Sequence, residues 1–111
     1  GLPLLKSLKK KFSTKFSTEC LYLNYLSIDL DSHIQRKYGK DKAQSITNKS
    51  SQILKTILLK ENSKSRDLIN TFDNYLKKRN INPGTCADLT VTTLLIDKIT
   101  DIVNFSDLKK N

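Results

Sequence analysis

"LYLNYLSIDL", residues 21–30, is apolar on almost every side when wound as a helix. Such a helix belongs at the centre of a bundle, because a helix on the surface keeps one face polar for water. Leu26, Ile28 and Leu30 also alternate as a strand would. No glycine or proline interrupts residues 4–38, however, and that favours one long helix through this stretch. Ser17 or Thr18 is placed to cap its start, Glu19 falls in its first turn, and Gly39 suits a left-handed residue at its end.

The flanking segments read the same way. Leu4, Leu5, Leu8 and Phe12 recur at helical spacing before it. After it, Asp41 can cap a helix running to about Leu59, with Ala43, Ile46, Ile53, Leu54 and Ile57 on one face. The polar KENSKS is then a loop. Ser65 can cap a fourth helix whose Leu68, Ile69, Phe72, Tyr75 and Leu76 form a 3, 4 stripe ending in Lys77, Lys78 and Arg79. A fifth helix is expected from about Cys86 to Phe105. Its LTVTTLLI is β-prone, but Leu89, Leu95, Ile96, Ile99, Ile102 and Val103 keep helical period across the segment. The expectation is a single all-α domain over residues 1–111, a bundle of about five helices.

With 111 residues the chain can bury roughly two thirds of its unfolded surface without disulfides. Cys20 and Cys86 are far apart with no CxxC, and His33 is the only histidine, so buried free thiols are expected and a Cys/His zinc site is not. His33 is placed to pair with Asp29. No apolar run reaches the length of about 18 residues that a membrane span needs, and GLPLLKSLKKKF has no small-residue cleavage site. A soluble, cytoplasmic protein with no membrane partner is the expectation.

The net charge is +9, and Lys6, Lys9, Lys10, Lys11 and Lys15 meet no acid within residues 1–15. This excess attracts polyanions in general, yet no aromatic-interleaved RNA motif, zinc finger or basic zipper accompanies it. A solvated face is the simpler reading.

Two stretches carry possible chemistry. In "NINPGTCADLT", residues 80–90, Gly84 can approach a ligand closely or take positive φ, Thr85 is a preferred N-cap, and the free N–H groups that follow can hold phosphate. The same pattern also makes an ordinary capped helix start, with Asp88 in the first turn against the helix dipole. In "LDSHIQRKYG", residues 30–39, Asp31 and Gln35 are four apart, as are Ser32 and Arg36. A carboxylate in so apolar a helix is either an internal ion pair or a contact to magnesium or ribose.

Together these stretches resemble the triphosphoribosyl-dephospho-CoA synthases, the ATP:dephospho-CoA triphosphoribosyltransferases, most closely their archaeal relatives. Gly1, Leu2 and Pro3 match the opening of the family's last part. Asp31-Ser32 stands for its Asp-Thr, with Arg36 and Gly39 downstream, and Asn82, Pro83, Gly84, Ala87, Asp88 and Leu89 match its Asn-Pro-Gly-x-x-Ala-Asp-Leu. The resemblance spans all 111 residues but only the C-terminal portion of a family member. It implies binding of ATP and 3'-dephospho-CoA, transfer of a triphosphoribosyl group with release of adenine, and an N-terminal portion or another chain that completes the site. It further implies catalytic roles for Asp31 and Asp88, magnesium held by the same two acids, and nucleotide contacts from Ser32, Arg36, Lys37, Asn82, Gly84 and Thr85. The alternative is a non-catalytic basic helical module that binds a protein partner or nucleic acid.

Overall fold

The computed structural model describes residues 1–57 and 60–110, with side chains through Asn104. It contains six helices and no strand among the described residues: α1 (Leu2–Lys9), α2 (Thr14–Ile28), α3 (Ser32–Tyr38), α4 (Lys40–Ile57), α5 (Ser63–Lys78) and α6 (Gly84–Lys110).

α2 is the central helix that its sequence demands. Phe16, Cys20, Leu21, Leu23 and Leu26 are all buried, and α1, α4 and α6 pack around it. Residues from every helix meet in one core, among them Leu8, Leu26, Ile34, Ile46, Phe72 and Cys86. Ser13, rather than Ser17 or Thr18, caps α2 by accepting the Phe16 N–H. Ser17 is fully buried instead.

The long second helix expected from sequence is two. α2 stops at Ile28, Asp29 is extended, and Asp31 caps a new helix, α3, by accepting the N–H groups of His33 and Ile34 at 2.9 and 3.1 Å. The break needs no glycine or proline, because an aspartate carboxylate can satisfy the first N–H groups of a helix. Asp31 therefore precedes the helix instead of sharing a row with Gln35. At the other end Gly39 has φ 91°, a left-handed value that favours glycine.

α4 begins at Lys40 directly after Gly39, so Asp41 lies inside its first turn and is not its cap; the expected end near Leu59 lies outside the described residues. Asn62 caps α5 by accepting the Ser65 N–H, a place expected for Ser65.

The β-prone LTVTTLLI is helical throughout. Thr90, Thr92, Thr93 and Thr100 each return their hydroxyl to the carbonyl four residues back, at 2.8 to 2.9 Å. Their β-branched side chains thus keep a satisfied polar group within the helix. No helix among the described residues is long and apolar enough to cross a membrane.

α1 is pinned at both ends. A Cβ on Gly1 would collide with the Tyr25 hydroxyl, which is 2.6 Å from that of Thr93. Lys9 pairs with Asp97 at 2.8 Å, and Asp97 is 6% exposed. The acid absent near the N-terminal lysines is supplied by α6.

Candidate functional site

The two stretches singled out in the sequence meet at the junction of α3 and α6, through three contacts. The Asp31 carboxylate accepts the Cys86 N–H at 2.9 Å, the Ser32 and Thr85 hydroxyls lie 2.6 Å apart, and His33 Nδ1 bonds the Asn82 carbonyl at 2.7 Å. A carbonyl only accepts, so this last bond places a proton on Nδ1. His33 is thus turned to the Asn-Pro-Gly turn, and the Asp29 side chain accepts its neighbour's Leu30 N–H.

Asp31 is 1% exposed and caps two helices at once, one oxygen serving α3 and the other α6. A buried carboxylate is sustained by such bonds, each to a backbone dipole oriented toward the charge. Beside it the Cys86 thiol is pushed up to about 12 by burial and by this carboxylate. Burial pushes the Cys20 thiol up to about 12 as well, and both cysteines are free.

The turn before α6 differs from its reading in sequence. Its positive φ belongs to Asn80, at 55°, held by the Tyr38 hydroxyl donating to the Asn80 carbonyl at 2.6 Å. Gly84 is the first residue of the helix, and a Cβ there would make ordinary contact with the His33 ring at 3.5 Å. Thr85 consequently lies inside the first turn and is not the cap, while Asp88 falls just beyond that turn.

The phosphate-binding N–H groups expected after Gly84 are largely engaged. Gly84 donates to the Asn82 carbonyl, Cys86 to Asp31 and Ala87 to the Pro83 carbonyl. Among the described residues this leaves the Thr85 N–H. The side chains of Ser32, Arg36, Lys37, Asn82 and Asp88 are exposed at this junction, with Thr85 partly so. Arg36 Nε donates to the Ser32 carbonyl at 3.3 Å, which holds the guanidinium along α3.

Asp88 follows Gly84 and Thr85, the residues that face His33 and Ser32, by four and three positions, and its side chain is exposed. The two acids expected to share magnesium differ in setting, Asp31 being 1% exposed and bonded to backbone N–H groups of two helices while Asp88 is exposed. Asp31 would have to release a helix cap to ligate an ion, and no group of three or more His, Cys, Asp or Glu among the described residues gathers for a metal. With both of its oxygens bonded to backbone N–H groups, the buried Asp31 is closed to an incoming ion in this arrangement.

Lys37, His33, Asn82 and Pro83 line a cavity of about 470 Å³ that runs on to Tyr22, Asp73 and Leu76. His33, Tyr22 and Tyr38 had no functional signal in the sequence, since what they meet lies far along the chain, the carbonyls of the α5–α6 turn for His33 and Tyr38 and the cavity wall for Tyr22.

Residues 1–106 match the family described as ATP:dephospho-CoA triphosphoribosyl transferase. The chain belongs to this family. No curated protein and no solved structure matches it. In this family member the Asp-Ser and Asn-Pro-Gly stretches are joined by the three bonds at the α3–α6 junction.

Proposed function

We propose that the α3–α6 junction is one wall of the site at which this family member binds ATP and 3'-dephospho-CoA and transfers a triphosphoribosyl group with release of adenine. The observation that carries this reading is the joining of residues 31–33 to residues 82–86 by three side-chain bonds. Residues so distant in sequence are locked together here while Arg36, Lys37, Asn82 and Asp88 are left facing solvent.

The reaction breaks the glycosidic bond of ATP and leaves the triphosphate whole. The bonding pair goes to adenine, which takes up a proton, and the 2'-hydroxyl of the acceptor ribose adds to the sugar carbon and loses its proton. Positive charge on the ribose favours a nearby carboxylate, and the phosphates favour fixed cations. Asp88 is the exposed acid of the junction. Arg36 and Lys37 are its cations, with the Ser32, Asn82 and Thr85 side chains as neutral hydrogen-bonding groups. Asp31 is a positioning residue that sets α3 against α6. Asp88 would be the single carboxylate offered to a magnesium ion brought in with the ATP triphosphate, and the ion would there offset phosphate charge.

Titration of the chain with ATP, with and without magnesium, tests the reading. Saturable binding that weakens on Asp88→Ala and on Arg36→Ala supports it; equal affinity in parent and both variants removes the junction from the site.

The exposed apolar row of α6, including Leu89, Leu95, Ile96 and Ile99, favours a polypeptide partner for that face, in keeping with a site completed by further protein.

A further inference from the structure

α5 packs chiefly on α4 and leaves a groove along α2. One cavity of about 340 Å³ in this groove is walled by Leu23, Ile69, Phe72 and Leu76, with Glu19 and Asn70 at its edges. It shares Tyr22, Asp73 and Leu76 with the 470 Å³ cavity that ends at Lys37, Asn82 and Pro83. The two adjoin at these residues, the first having an apolar wall edged by Lys15 and Glu19 and the second carrying Lys37 and Lys77 toward the α3–α6 junction. Each is within the size range of small-molecule sites.

We propose that this groove holds the pantetheine arm of dephospho-CoA, with the diphosphate toward Lys37 and the thiol end toward Ile69. The inference rests on the transferase reading and deepens it by assigning the acceptor its own subsite. The arm is an unbranched chain of two amides and short methylene runs, about as long as five extended peptide residues, or ~17 Å. Ile69 to Asn80 spans eleven residues along and just beyond α5, or ~17 Å at the helical rise. The diphosphate meets a lysine and an imidazole, the geminal methyl groups meet Leu76 and Phe72, and the amides meet Asn70 and Glu19. Burial raises the Glu19 carboxyl above its ordinary range despite Lys15 nearby. ATP has no comparable arm, so the apolar end separates acceptor from donor nucleotide.

The test is an NMR titration of the isotopically labelled chain with 4'-phosphopantetheine, dephospho-CoA and MgATP in turn. Phosphopantetheine and dephospho-CoA should shift the resonances of Leu23, Ile69, Asn70 and Leu76, whereas MgATP should shift those of Arg36, Thr85 and Asp88. Asn70→Trp, at an exposed α5 position that leaves the core intact, should raise the Kd for dephospho-CoA about tenfold or more and leave that for MgATP within about twofold. Shifts confined to Lys37 and Asn82 on adding phosphopantetheine, or groove shifts from MgATP of equal size, would overturn the subsite and leave the transferase reading standing. No response to MgATP or dephospho-CoA anywhere on the chain would overturn both.

Discussion

The carboxylate of Asp31 and the backbone N–H of Cys86 are joined by a 2.9 Å hydrogen bond between residues 55 apart in sequence. Through it a single buried acid serves the start of both helices, α3 of the Asp-Ser stretch and α6 of the Asn-Pro-Gly stretch. The relationship makes the fold and the proposed site depend on the same side chain.

Asp31→Ala should therefore destabilise the protein by about 3 kcal/mol, the cost of leaving several buried N–H groups without an acceptor. Asp31→Asn keeps one acceptor oxygen and should lose roughly half as much. Urea unfolding of the two variants measures this, and an unchanged midpoint for Asp31→Ala would contradict the double cap.

Asp88→Ala should behave in the opposite way. Its side chain is exposed, so stability should stay within about 0.5 kcal/mol of the parent. MgATP affinity, followed by calorimetry, should fall about tenfold if Asp88 is the acid that faces the nucleotide.

Gly84→Ala separates the two uses of that glycine. The position is helical and has ordinary contact space beside His33, so alanine should raise stability by about 0.5 kcal/mol. Nucleotide affinity should be unchanged if ligands rest on side chains at the junction, and should drop if a phosphate approaches the Gly84 backbone itself.

The two thiols provide a pH signature. Each is raised from 9.0 to about 12 in the folded protein, so folding favours the protonated form. Their contribution to stability is fully present below pH 9 and falls away as pH rises from about 9 toward 12. Alkylation by iodoacetamide at pH 8 should consequently be slow in the native protein and fast in urea. Rapid labelling of either cysteine without unfolding would contradict the burial.

How much of this was legible in the sequence differs from element to element. The all-α class, the central place of residues 21–26 and the apolar stripes of α4 and α5 follow from periodicity, which depends only on neighbours within a few turns. The proximity of the Asp-Ser and Asn-Pro-Gly stretches was foreshadowed only by resemblance. Missed altogether were the break at Asp29, because an acid in place of proline or glycine made it, and the uses of His33, Tyr22 and Tyr38, because their partners are backbone carbonyls of the α5–α6 turn or cavity walls distant in sequence.

By itself the sequence determined that the chain is helical, which residues seek the core, and to which family its motifs belong, since all of these are local patterns. Only the tertiary structure decided that Asp31 is a buried cap while Asp88 faces solvent. Both are single aspartates beside apolar runs, and nothing within a few residues of either says which helix ends will be brought to it. That depends on where α6 docks against α2 and α3, and on a carboxylate being stable in the interior only where backbone N–H groups from two elements converge on it.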